Sequence, residues 1–291
     1  MLASVSPKSR RAAACATACY PLGRDVLFAD RRERIVELSC CAWALTGSEE
    51  DALTALAAIG FRSIDVQAKT FFSPTSRAHI DDLGLSVSCL ALCFNMEDAA
   101  ALDGAPAAQQ AALDHCREAL DHAADLGADT AYVVPGTDPV ALPQFGDALG
   151  QVADFAAARA IRVGVEHFPG KALPTAAGTL EYLSRLNHPN LYLLLDTGHL
   201  QMSKEDPAAV IAAAGDRLGY VHLDDNDGKG DLHWPLLAGV LTEGALAATF
   251  AALAPSPYAG PASIELSPQL PDPVAALTQS RACALQAAKK E

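Results

Sequence analysis

The chain has 291 residues, 51% hydrophobic and 19% charged, a balance that excludes a disordered chain and suffices for one large domain with its own core. No apolar run of about 18 residues is free of charge, glycine or proline, so no transmembrane helix is expected. The formal net charge of −14 repels phosphate backbones, so neither nucleic acid nor an anionic membrane is expected as a partner.

Residues 1–34 stand apart, with seven basic and three acidic side chains against the acidic remainder. Arg10-Arg11 before an Ala/Cys stretch faintly resembles a twin-arginine export signal. The stretch is short and weakly apolar, so the reading is a disordered extension or an upstream start. The eight cysteines form no disulfide or zinc framework: Cys40-Cys41 and Cys89 to Cys93 sit in apolar runs, and no second pair completes Cys15 and Cys19. They read as small buried hydrophobes in a reducing compartment, which points to a cytoplasmic location.

From Ile35 onward, strand-like runs alternate with Ala/Leu-rich helical patterns. The runs are Ile35–Trp43, Ser63–Gln67, Leu85–Phe94, Thr130–Val134, Arg162–His167, Leu191–Asp196, Leu218–Leu223 and Ala262–Leu266. Ala107–Leu126 shows the helical period, with Leu113, Cys116, Leu120 and Ala124 on one face. Gly60 and Gly127 each close a helix ahead of a strand. Eight apolar strands joined by helices predict a parallel α/β architecture closing as a (β/α)8 TIM barrel over residues 35–291. A doubly wound open sheet is the alternative, but no glycine-rich turn follows the first strand.

In such barrels the active site lies at the C-terminal strand ends. Strands five to eight end in Glu166, Asp196, His222 and Glu265, spaced by 30, 26 and 43 residues. Three carboxylates converging on one pocket repel each other unless a cation neutralises them. One divalent metal is therefore expected on these four residues. The ligand types favour Mn²⁺, with Mg²⁺, Co²⁺ or Zn²⁺ admitted.

Val165-Glu166-His167, Leu195-Asp196-Thr197-Gly198-His199, Val221-His222-Leu223-Asp224 and Ile264-Glu265-Leu266 together resemble the signature of the xylose-isomerase-like TIM-barrel superfamily, the sugar phosphate isomerase/epimerase family. The resemblance spans roughly residues 35–290. By likeness to its ketose 3-epimerase branch, Glu166, Asp196, His222 and Glu265 bind the metal, and Glu166 and Glu265 double as catalytic acid and base. A metal-stabilised enediolate would then give epimerisation or isomerisation of a small sugar or keto-polyol. A lyase, either a dehydratase or a keto-glycoside-cleaving enzyme, would use the same site and is the alternative.

The substrate-binding residues expected are His199, in the loop after strand six, with His233, Lys229, Trp234, Phe94 and His167. Asp231-Leu232-His233 resembles a pair that binds an additional zinc in the abasic-site endonuclease branch. That branch also needs early-strand histidines, whereas strands one to four end here in Trp43, Gln67, Phe94 and Pro135-Gly136. The ketose epimerases usually carry an arginine shortly after the strand-seven histidine, where this chain has Gly228 and Lys229. Asp225-Asn226-Asp227-Gly228 only superficially suggests a calcium loop, since Trp234 stands in the place of its final glutamate. No glycine-rich phosphate cradle follows strands seven or eight, which favours an unphosphorylated substrate. A non-catalytic binding barrel and a homo-oligomer, with Phe71-Phe72 at an interface or pocket, are left open.

Overall fold

The computed structural model describes residues 36–289; the basic N-terminal segment, with Cys15, Cys19 and the paired arginines, lies outside them. The strands are β1 (Leu38–Cys40), β2 (Ser63–Gln67), β3 (Ser86–Ala91), β4 (Thr130–Val133), β5 (Arg162–Glu166), β6 (Leu191–Asp196), β7 (Leu218–Leu223) and β8 (Ala262–Ile264). All ladders are parallel, each strand pairing with the next from β2 to β8, and β8 with β1. A single parallel bridge between Cys41 and Asp65 joins the end of β1 to β2 and completes the ring. The expected (β/α)8 TIM barrel is the fold.

The helices between the strands are α1 (Glu49–Ile59), α2 (Pro74–Asp82), α3 (Pro106–Asp125), α4 (Leu142–Ala157), α5 (Ala176–Leu186), α6 (Thr197–Ser203), α7 (Pro207–Ala214), α8 (Glu243–Leu253) and α9 (Pro273–Ala287). Their starts follow capping chemistry. Ser48, Ser73, Thr175, Asp206, Thr242 and Asp272 each accept a backbone N–H of the first turn, satisfying amides the helix leaves unpaired. Gly60 ends α1 at φ +103° and Gly127 follows α3 at φ +75°, left-handed conformations that favour glycine.

Two apolar cores result. The larger lies between the ring and its helices and holds Leu53, Leu56, Phe61, Leu120, Phe145, Leu149 and Phe250. The smaller fills the barrel itself with Cys89, Ala91, Tyr132, Leu194 and Tyr220. It forms the floor on which the polar residues of the mouth stand.

Two local expectations change. The first and third strands are shorter than their apolar runs: Ala42–Ala44 is a 3-10 turn carrying Trp43, and β3 stops at Ala91. Ala124 is exposed, and the buried face of α3 runs through Ala112, Leu113, Cys116, Ala119, Leu120 and Ala123. Of the Phe71-Phe72 pair, Phe71 packs on the core and lines a cavity with Trp43 and Glu49, while Phe72 is exposed and stacks on His122. The six described cysteines are free thiols. No helix among the described residues is long and apolar enough to cross a membrane.

Candidate active site

Side chains alternate across a strand, so register decides which ones meet. Asp196 pairs with His222. Glu166 pairs with Leu194, two residues before Asp196, and His222 pairs with Ser263, two before Glu265. The four therefore share the inner face at the C-terminal mouth. One ligand atom from each lies within 4.8 Å of the other three.

Several of these atoms aim at a common point rather than at each other. Asp196 Oδ1 accepts the His199 backbone N–H at 2.7 Å, while its buried Oδ2 has no hydrogen bond. His222 Nδ1 approaches Glu265 Oε2 to 2.8 Å and Glu166 Oε1 to 3.8 Å, yet is aligned for a hydrogen bond with neither. Orphaned buried polar atoms cost about 1–3 kcal/mol each. A divalent cation would satisfy them together, and an oxygen-rich set with one imidazole suits Mn²⁺, Mg²⁺, Co²⁺ or Zn²⁺. The residues fit the group.

Without a cation the charges compensate one another. Burial pushes the Glu166 carboxyl up. Burial acts on Glu265 in the same sense but is outweighed by His222, which holds that carboxyl down. For His222 burial favours the neutral ring, but Glu265, Asp65 and Glu166 overcome it and raise its pKa well above the ordinary value.

Beside the cluster, histidines alternate with carboxylates. His199 Nδ1 donates to the His167 carbonyl at 2.8 Å, and its Nε2 lies 3.3 Å from Asp231 Oδ1. His233 bridges Asp231 Oδ1 at 3.1 Å and Asp224 Oδ2 at 3.2 Å. Burial lowers both imidazoles, but the carboxylates prevail, pulling His199 up to about 10 and His233 up to about 12. Burial, with the Asp196 charge, pushes Asp224 up to about 7 despite His233.

The Asp-Thr-Gly-His and His-Leu-Asp segments are interlocked. Asp224 Oδ1 accepts the Gly198 N–H at 2.6 Å, while Thr197 Oγ1 donates to the Asp224 carbonyl and accepts its N–H, each at 3.0 Å. A Cβ on residue 198 would stand 2.4 Å from both Asp224 oxygens, so the motif needs glycine there. No loop follows strand six, contrary to expectation: Asp196 itself caps α6, and His199 lies in that helix's first turn.

The family model described as xylose isomerase-like TIM barrel matches residues 53–284. The chain belongs to that family. It is 35% identical over 132 residues to an L-ribulose 3-epimerase from Methylomonas sp. (strain DH-1), covering 43% of each chain. It is 29% identical over 177 residues to a ketose 3-epimerase from Arthrobacter globiformis, covering 56% of this chain and 58% of that one. The chain thus spans about half the length of the curated relatives it matches. In fold it resembles a crystal structure of D-allulose 3-epimerase from Methylomonas sp., with TM-score 0.73 and 22% identity over 87% of this chain and 98% of that one.

In this family member, the other residues singled out from sequence are placed as follows. His167 is fully buried, with Nε2 accepting the Asp196 N–H at 3.3 Å; burial holds its pKa down at about 3, so the ring is neutral. Phe94 stacks on Trp43 at 5.9 Å, and Trp43 Nε1 donates to Glu265 Oε1 at 3.1 Å. Trp234 is half-buried, and its backbone pairs with Asp225. Lys229 is exposed, its N–H held by Asp227 Oδ1. Asp225 and Asn226 also turn their side chains onto backbone amides of the same loop. A cavity of about 360 Å³ opens at the ends of β3 and β4, between Phe94 and Phe168, with Lys171 and Asp103 in its wall. Phe168 stacks on His199 at 4.2 Å.

Sequence reasoning passes over Trp43, Asp65 and Asp224 as site residues, and meets Asp231 only through the likeness of Asp231-Leu232-His233 to a zinc-binding pair. Trp43 is marked only by its place at the end of an apolar run, and Asp224 only by its place in the His-Leu-Asp segment.

Gly198→Ala is expected to cost about 1–3 kcal/mol through overpacking against Asp224; urea denaturation checks this, and unchanged stability would contradict the interlock. A divalent cation must displace the His222 proton, so Mn²⁺ affinity is expected to rise with pH, approaching about tenfold per unit between pH 6 and 8. Chelator-competition titration reads it, and a pH-independent affinity would contradict the assignment.

Proposed function

We propose that this chain is a divalent-metal-dependent epimerase or isomerase of a small ketose or keto-polyol, with 3-epimerisation as its reaction. The observation that carries this reading is a division of exposure within the cluster. Asp196 and His222 are 0% exposed, whereas Glu166 and Glu265 are 4% and 6% exposed. The first two are closed off from solvent and serve as ligands. The two glutamates also reach the mouth, from β5 on one side and from the end of β8 on the other.

A cation on these four residues would supply Lewis acidity, polarising a ketose carbonyl and acidifying the neighbouring C–H. One glutamate then takes the C3 proton onto a carboxylate oxygen, and the C–H electron pair moves into the C2–C3 bond as the carbonyl becomes an enolate. The other glutamate gives its proton to the opposite face of C3 as the carbonyl re-forms. The products are the C3 epimer and a pair of glutamates with exchanged protonation. Trp43 holds Glu265 through Oε1, fixing the direction from which that carboxylate approaches. His199 stands beside Glu166 at 3.7 Å with its ring nitrogens turned to the His167 carbonyl and to Asp231, so it orients Asp231 toward a substrate hydroxyl. The cavity between Phe94 and Phe168 takes the far carbons of the sugar.

The similarity to proteins named L-ribulose 3-epimerase and ketose 3-epimerase supports the same substrate class. The exposed Lys229 does not reproduce the guanidinium usual in that branch, so hydroxyl recognition falls to the His199–Asp231–His233 series.

Incubating the manganese-loaded protein with pentuloses and hexuloses in D₂O is expected to give the C3 epimer with deuterium at C3. Glu166→Gln is expected to lose turnover by about 10²–10⁴-fold while keeping the wild-type circular dichroism spectrum. Full activity in that variant would overturn the mechanism, and an ultraviolet-absorbing unsaturated product would move the chain to the lyases.

A further inference from the structure

Deep in the barrel, below the cluster, lies a carboxylate that the proposed reaction does not use. Asp65 is on β2, fully buried, three strands round the ring from His222 on β7. Burying a carboxylate costs several kcal/mol unless donors surround it. Here three hydroxyls gather on one oxygen: Ser88 Oγ at 2.8 Å, Ser39 Oγ at 3.1 Å and Tyr220 OH all bond Oδ1. They come from β3, β1 and β7, so the carboxylate is oriented from three strands at once.

The second oxygen, Oδ2, is turned toward His222 Nε2 at 3.4 Å. That nitrogen is buried and has no hydrogen bond among the described residues. The opposite nitrogen, Nδ1, is the one facing Glu166 and Glu265. A neutral imidazole carries one proton, and it ligates only through the nitrogen that lacks it. Which nitrogen is bare is set by what the other one finds.

We infer that Asp65 is the positioning residue that prepares His222 for the cation: its Oδ2 holds the proton on Nε2, leaving the Nδ1 lone pair toward Glu166, Asp196 and Glu265. This rests on the metal reading of that cluster and adds to it the group that fixes the imidazole tautomer. Cys41 Sγ donates to Oδ2 at 3.7 Å, and burial, with Glu265 and Asp65 nearby, pushes its thiol up, so it serves Asp65 as one more donor. Tyr220 has two roles, since its ring packs edge-on against His222 at 5.6 Å while its hydroxyl orients Asp65.

The arrangement makes Asp65→Asn an informative substitution. The three hydroxyls select the amide oxygen for the Oδ1 position, which leaves the amide nitrogen where Oδ2 stood. An N–H donor there demands a bare Nε2 and sends the imidazole proton to Nδ1, the wrong nitrogen for ligation.

The experiment is titration of metal-free protein with Mn²⁺ against a competing chelator, for wild type, Asp65→Asn and Tyr220→Phe. Thermal melts are run alongside. Asp65→Asn is expected to bind Mn²⁺ about 10–100-fold more weakly while still melting cooperatively. Tyr220→Phe keeps the ring and loses only the hydroxyl; it is expected to weaken binding about threefold to tenfold, and it carries the test if Asp65→Asn does not fold. In ¹⁵N spectra of histidine-labelled, Zn²⁺-loaded wild type, His222 is expected to show a protonated Nε2 and a ligated Nδ1. Wild-type affinity in both variants, or a protonated Nδ1 in the wild-type spectrum, would overturn the inference and leave the metal reading standing. A wild type that binds no cation would overturn that reading, and this inference with it.

Discussion

Three carboxylates and an imidazole are forced within 4.8 Å of one another at the mouth of a closed barrel, with almost no water to screen them. The register of β5 to β8 imposes this, because Glu166, Asp196, His222 and Glu265 fall on one inner face. Much of what surrounds the cluster answers the resulting charge. Asp196 spends one oxygen on capping α6 and keeps the other bare. Trp43 takes one oxygen of Glu265. His167 accepts the Asp196 N–H and so supports the strand end that carries Asp196. Below the cluster Tyr132, Leu194 and Tyr220 fill the barrel, and Asp65 meets His222 from beneath at 3.4 Å.

The same charge problem extends outward through the β7–α8 connection. Asp224 locks onto Gly198 and Thr197, and His233 ties Asp224 to Asp231, which in turn faces His199. Carboxylates pull each imidazole toward its protonated form, so charge-assisted contacts strap the connection across the mouth while Leu236 and Leu241 anchor it in the apolar core. Asp225 and Asn226 organise the remainder by collecting backbone amides. A charged wall thereby becomes continuous with Glu166, Asp196, His222 and Glu265.

Periodicity makes the eight strands and their order legible, because each is an apolar run set between helical patterns. The four converging residues are legible for a related reason. One carboxylate or histidine closing an apolar run is common, but four consecutive strands that each end this way bring four polar side chains to one height of the barrel. Asp65 is not legible. In Ser63-Ile64-Asp65-Val66-Gln67 it reads as a polar residue in a short strand, and its partners lie 26, 23 and 155 positions away. The α6 helix is hidden by Gly198, a residue of low helical propensity retained because Asp224 leaves no room for a Cβ. The first strand is shorter than its apolar run because Cys41 makes just one bridge to β2 before the chain turns to present Trp43, and hydrophobicity alone does not reveal that turn.

Elemental analysis by inductively coupled plasma mass spectrometry, on wild type beside His222→Ala, tests the central claim most directly. One Mn, Co, Zn or Mg per wild-type chain, lost in the variant, is the result expected from four converging ligands. No metal in the wild type after reconstitution, or undiminished metal in the variant, would contradict it.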